Sequence, residues 1–292
     1  MFDIMIIGQI TLDHNVDYDG REEYIHGGAV TFSGYAAAAI GHSVAVVPKG
    51  DPARVDPYAV FADSRVEKVF PVASSGCTEM ENTYFTADRE RRRCLNTRGI
   101  DPYVPADLPD EPARIYHLGG LVNGDMGGDM IEACARRGDT ALDVQAVLRC
   151  RNDDGTLELR DWPEKKTYLP MIRYLKTDAA EAEVLTGTDD REKAAFTLCG
   201  WGAKEVLITH NTEALVCDGD RIFSAPLRPR SLAGRTGRGD TTFAGYLTER
   251  LGNGIPAALE FAAALVSLKM ETPGPFRGTR QDVLDYIERF YR

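Results

Sequence analysis

An α/β fold on a central, mostly parallel sheet flanked by helices is what this sequence predicts, and two observations carry the prediction. Short apolar runs, the pattern of strands buried on both faces, alternate with helical stretches along most of the 292 residues. Two polar, alternating, turn-rich segments, 15–26 and 78–98, break that rhythm and read as hairpins outside the main sheet, a small β lid over a cleft.

The first apolar run, FDIMII over 2–7, ends at Gly8 and reads as a buried strand. Residues 29–41, AVTFSGYAAAAIG, are small and helix-permissive and stop at Gly41, which suits a helix end. Strands are expected over 44–48, 114–118, 139–143, 173–176 and 204–209, with helices near 127–137, 179–186 and 191–201. A strand follows over 220–224, and from Asp240 onward the chain is helical, near 240–251, 256–270 and 281–290. With no internal repeat, low-complexity tract or Pro/Ser-rich linker, residues 1–292 are expected to form a single catalytic domain, its lid drawn from about 15–27 and 77–98. The run Glu90-Arg91-Arg92-Arg93-Cys94 in the second lid segment reads as a solvated strand face.

Composition narrows the function classes. A chain 43% hydrophobic and 27% charged is neither disordered nor fibrous. A net charge of −11 excludes a nucleic-acid binder that works by neutralising phosphates, though not a small phosphorylated substrate held by backbone amides. The six cysteines, at 77, 94, 134, 150, 199 and 217, form no C-x-x-C pair and read as idle thiols in a reducing compartment. No run approaches the ~18 apolar residues of a membrane span, and MFDIMIIG lacks the basic start of a signal peptide. A cytoplasmic protein without membrane or nucleic-acid partners is expected.

The chemistry points to Gly234-Arg235-Thr236-Gly237-Arg238-Gly239-Asp240, a glycine-rich loop running directly into a helix whose buried stripe is Phe243, Leu247 and Leu251. Such a turn exposes several N–H groups at the positive end of a helix dipole, a seat for a phosphoryl group, while the Asp240 carboxylate can accept the proton of an attacking hydroxyl. An anion cradle beside a base is what phosphate transfer to an alcohol requires. The plain structural alternative is that Asp240 caps the helix and the glycines only serve the turn.

This segment resembles the second signature of the ribokinase-like (PfkB-type) carbohydrate kinases, a D-T-x-G-A-G-D run, with Gly237, Gly239 and Asp240 matching and Gly234, Arg235 and Arg238 departing. Gly27-Gly28 through Thr31 and on to Gly41 is similar to the family's first signature, with Phe32 where asparagine is usual, and Gly8-Gln9-Ile10-Thr11-Leu12-Asp13 resembles its opening. Asp178-Ala179-Ala180-Glu181 looks like its N-x-x-E segment, and Thr209-His210-Asn211 stands where its T-x-G-x-x-G nucleotide loop begins, both glycines being replaced. Leu142 to Arg149, with an Asp-Gly turn at 154–155, is similar to inositol kinases of the family.

The resemblance implies a ribokinase-like fold and ATP-dependent phosphorylation, with Mg²⁺, of one hydroxyl on a small polyol or sugar, myo-inositol-like for preference. Asp240 is the implied base, with the amides of Gly237, Arg238 and Gly239 as cradle. Asp13, Gly27, Gly28, Thr31 and Gln145 are implied to hold the acceptor. Asp178, Thr209 and Asn211 serve the nucleotide, and Glu181 meets Mg²⁺ through water. Phe276 is expected to close the nucleotide pocket, His210 to be a loop histidine, and the chain to be a monomer or homodimer. Two other readings stay open: a nucleoside kinase of the same family, and a catalytically silent ligand-binding relative. A nicotinamide-dependent oxidoreductase lacks support, because Gly8-Gln9-Ile10-Thr11 is not G-x-G-x-x-G.

Overall fold

The computed structural model describes residues 1–86 and 91–292. Ten strands form the main sheet. Its order is Ile222–Pro226, Glu213–Cys217, Glu205–Thr209, Tyr174–Asp178, Asp139–Asp143, Ala113–Leu118, Phe2–Gln9, Val44–Gly50 and Lys68–Val69, with Val72–Ala73 also paired to Val44–Gly50. From Glu205–Thr209 to the Lys68 edge every pairing is parallel. The opposite edge turns back in two antiparallel pairings.

Strand alternation sends side chains to two separate cores. Ile4, Ile6, Val44 and Val46 pack with Tyr35, Phe243, Phe261 and Tyr286 of the helices Ala29–Ala39, Arg238–Glu249, Ile255–Lys269 and Arg280–Phe290. Met5, Ile7, Ala45 and Val47 face the other way, toward Met130, Leu185 and Leu198 of Gly128–Ala135, Ala179–Thr186 and Arg191–Gly200. Because both faces are covered, the strands carry continuous apolar runs, which is why they are legible in the sequence. Helix Ala29–Ala39 is buried at every position and has no polar face, so its small residues reflect a central place between sheet and neighbouring helices.

Expected and observed elements agree in kind and order, but the structure adds the short strands Lys68–Val69 and Val72–Ala73 and the short helices Pro57–Val60 and Lys165–Tyr168, and three further differences bear on the site. Strand Glu213–Cys217 was not expected; a short turn after Thr209 folds it back antiparallel. The helix expected from residue 240 begins at Arg238, so Asp240 lies inside its first turn and Gly237, at φ +78°, takes the cap position instead. The stretch after Gln145 forms a short helix, Gln145–Leu148, and then a two-stranded hairpin, Arg149–Arg151 with Leu157–Leu159, around the expected Asp154-Gly155 turn.

The two segments outside the rhythm form a four-stranded sheet in the order Glu22–Gly27, Thr11–Val16, Thr78–Tyr84, Arg92–Arg98. Residues 87–90, including Glu90 of the charged run, lie outside the described residues. The small sheet starts at Thr11, earlier than the patterning suggested, because the main-sheet strand Phe2–Gln9 passes into it with Ile10 alone between. All six cysteines are free, and among the described residues no helix is long and apolar enough to cross a membrane.

Gly28 makes the return from the small sheet into helix Ala29–Ala39. Its φ is +91°, and a Cβ there would lie 2.2 Å from the carbonyl oxygen of Gln9. Gly28→Ala is expected to lower the unfolding free energy by about 2–4 kcal/mol, from left-handed strain plus a backbone clash, as read by chemical denaturation. An unchanged denaturation midpoint would show that this turn can relax.

Candidate active site

In a parallel sheet, ligands bind beyond the carboxyl ends of the strands, where loops and helix N-termini converge. The cleft here obeys that rule. Asp143, Asp178 and Thr209 are the last residues of adjacent strands, and Asp13 follows the end of Phe2–Gln9. Opposite them stands the loop 235–239 with Asp240. Together with Gly28, Phe32, Gln145, Arg149 and Lys176 these residues enclose about 410 Å³. The small sheet supplies the remaining wall: Met80, Asn82 and Tyr84, at every second position of one strand, with Cys94 opposite Asn82 on its neighbour.

Of the residues expected in a site, Asp13, Gly28, Gln145, Asp178, Thr209, Gly237, Arg238, Gly239 and Asp240 meet in this one cleft. Gly27, Thr31, Glu181 and Asn211 stand behind its walls. The Thr31 hydroxyl donates to the Gly27 carbonyl at 2.8 Å, and a Cβ on Gly27 would strike Asp13 Oδ2 at 2.5 Å. Asn211 Oδ1 accepts from Arg238 at 2.9 Å and from Arg235 at 3.3 Å, bridging the end of strand Glu205–Thr209 to the glycine loop. His210 contacts Thr212 Oγ1 at 3.1 Å, as a loop histidine does. Phe276, expected at the far end of this pocket, is instead buried beside a separate cavity of about 390 Å³ between 268–278 and the last helix.

Asp178 and Glu181 form a complete capping box: Glu181 N–H donates to Asp178 Oδ1 and Asp178 N–H to Glu181 Oε2, each at 2.8 Å. Glu181 is thereby drawn out of the cleft and toward Lys176.

Lys176 is the residue that sequence reasoning missed and that organises the floor. Its Nζ donates to both Asp143 oxygens at 3.1 and 2.9 Å and lies 3.9 Å from Glu181 Oε2. Burial alone would lower the proton affinity of this lysine; the carboxylates of Asp143, Glu181 and Asp178 reverse that and hold it above its ordinary value. Burial pushes Glu181 up, with Lys176 opposing. A Cβ on Gly239 would come within 3.3 Å of Lys176 Nζ, so the ammonium lies directly beneath the first turn of the Asp240 helix. A charged residue near the end of an otherwise apolar strand, RYLK, was the available signal.

Asp240 is largely buried and lines the cleft. Burial and the neighbouring Asp143 raise it to about 6, against the opposing charges of Lys176, Lys269 and Arg149. A carboxyl poised there is ionised at neutral pH yet basic enough to take a proton.

Among the described residues no cluster of three or more His, Cys, Asp or Glu side chains could hold a metal by itself. The carboxylates of Asp143 and Glu181 are directed at Lys176. Asp178 lines the cleft and is the carboxylate here that could border a magnesium ion and its waters.

No family model matches the chain. Two solved structures cover nearly all of it at TM-score 0.88 and 33% identity. One is a pyrophosphate-dependent kinase in the ribokinase family complexed with a pyrophosphate analog and myo-inositol, matched over 97% of this chain and 99% of that one. The other is a sulfate complex of such a kinase, matched over 96% and 99%. The cytidine kinase of Thermococcus kodakarensis is 23% identical over 85% of this chain and 88% of its own. Inositol 3-kinase of Zea mays is 31% identical over 54% of this chain, which spans only 39% of that protein. Fold and site together define a phosphotransferase with an alcohol group as acceptor. The chain belongs to the ribokinase family.

Removing the Lys176 charge strands two buried carboxylates. Lys176→Met is expected to cost about 3–5 kcal/mol of stability, measured by urea unfolding. Wild-type stability would mean that the Lys176–Asp143 pair contributes nothing to holding the strand ends together.

Proposed function

We propose that this protein transfers a phosphoryl group from inorganic pyrophosphate to one hydroxyl of a myo-inositol-like polyol. One observation carries the reading: the Asp240 carboxylate and the exposed amides of its own helix N-terminus share a cleft with Asp13 and Gln145, so a base, an anion seat and polyol-binding groups converge. The full-length similarity to kinases described as pyrophosphate-dependent, one of them holding myo-inositol, supports both substrates.

In the reaction, Asp13 and Gln145 orient the polyol, and Asp240 takes the proton of the attacking hydroxyl as its oxygen bonds to phosphorus. The bridging P–O bond of pyrophosphate breaks and inorganic phosphate leaves. The amides of Gly237 and Gly239 receive the equatorial oxygens, where charge is densest during transfer, whereas the Arg238 N–H expected in this cradle is already given to the Arg235 carbonyl at 3.2 Å. Arg149 and Arg238 add the positive field that a compact, highly charged donor needs. A magnesium ion carried by the donor, bordered by Asp178, would neutralise phosphate oxygens. The small sheet acts as a lid, excluding water that would otherwise compete as acceptor.

ATP is the second reading for the donor, and it follows from the ribokinase-like motifs. Against it, both glycines of the usual nucleotide loop are replaced beyond Thr209, and Asn211 ties Arg235 and Arg238 across that end of the cleft. A panel of pyrophosphate, ATP and ADP against myo-inositol, ribose, fructose, adenosine and cytidine decides, with product followed by ³¹P NMR. Inositol phosphate formed from pyrophosphate is the expected result. Product from ATP alone would reverse the donor assignment, and phosphorylation of a nucleoside alone would reverse the acceptor.

The acid limb of kcat/KM should fall near pH 6, since Asp240 acts as base only when ionised, above its raised pKa. Asp240→Asn should fold normally, lose about 10²–10⁴-fold in kcat and show no such limb. Near-normal turnover in that variant would refute the base assignment.

A further inference from the structure

We propose that Lys269 is a positioning residue for phosphoryl transfer, a cation built into the end of helix Ile255–Lys269 that turns the peptide planes of the glycine loop so that the N–H groups of Arg235 and Gly237 face the cleft. Lys269 is 1% exposed. Its Nζ donates to the carbonyls of Gly234 and Thr236 and lies 5.1 Å from the centre of the Phe32 ring. In a trans peptide C=O and N–H point in opposite directions. Drawing those two carbonyls inward to Lys269 therefore directs outward the N–H groups of the residues that follow them, Arg235 and Gly237.

Two further contacts hold the same loop. Gly234 N–H donates to the Met270 carbonyl at 2.7 Å, and Gly237 packs so closely on Phe32 that an added Cβ would come within 2.2 Å of the ring. The loop is thus fastened from below to the end of one helix and to the ring of another, with the ammonium at the centre. Burial lowers the proton affinity of Lys269 to about 8, with the charge of Asp240 opposing. An apolar side chain of similar length would relieve the burial of a cation but would leave the Gly234 and Thr236 carbonyls without their donor.

A loss of kcat at unchanged polyol KM, restored by an added amine, separates a positioning role from a structural one. The proposal rests on the reading that the loop receives the donor phosphoryl group. In Lys269→Met, which leaves the Gly234 and Thr236 carbonyls without their donor, thermal stability is expected to fall modestly, kcat to fall about 10²-fold, and the KM of the polyol to stay unchanged. In Lys269→Ala, methylammonium should restore part of the lost kcat, reaching the vacated position through the second cavity, which Lys269 also borders. Wild-type kcat in the Met variant, or no amine restoring the Ala variant, would overturn the proposal. A wild-type protein that transfers phosphate from none of the donors would instead overturn the underlying reading.

Discussion

The site rests on the buried ion pair between Lys176 and Asp143. Two adjacent parallel strands place these residues side by side in register, and the capping box of the next helix brings Glu181 to the same ammonium. Without a cation, the ends of two neighbouring strands and the first turn of the helix that follows would crowd Asp143, Asp178 and Glu181 together. With it, the negative charges are compensated locally, and the first turn of the Asp240 helix can lie directly above. The same lysine moderates the rise in the Asp240 pKa that burial imposes. One side chain thus sets both the electrostatics of the floor and the geometry of what packs on it.

Much of this was legible in the chain. Strands covered on both faces leave apolar runs that no surface pattern imitates, so the parallel sheet could be read nearly strand by strand. The glycine loop, the capping box at Asp178 and Glu181, and the Gly28 turn are local devices whose residues are contiguous, and local chemistry announces them. Strand Glu213–Cys217 escaped because it follows Thr209 after a three-residue turn and the segment had been read as a loop. The Asp240 helix starts two residues early because Gly237 adopts a left-handed conformation, leaving Arg238 free to begin the first turn.

What escaped more completely were the lysines. Lys176 and Lys269 are separated by 93 residues and sit in unremarkable contexts, a strand end and a helix end, where lysine normally faces water. Their burial is a property of packing: Lys269 is enclosed only because loop 234–237, ring Phe32 and the end of its own helix close around it. The same holds for the wall made by Met80, Asn82, Tyr84 and Cys94, whose role depends on which face of the small sheet meets the cleft. Period-two alternation names a face but not its neighbour.

The main sheet passes into the small one through a single residue, Ile10, itself buried, and the chain returns through the strained glycine at 28. Asp13 rides on the first strand beyond that junction, only a few residues from a sheet that cannot move. Any swing of the small sheet about Ile10 would therefore carry the Asp13 carboxylate along a short arc toward or away from the glycine loop. Under the proposed function, gripping the alcohol and shutting out solvent would be one displacement rather than two, and a stiffer junction would slow both together.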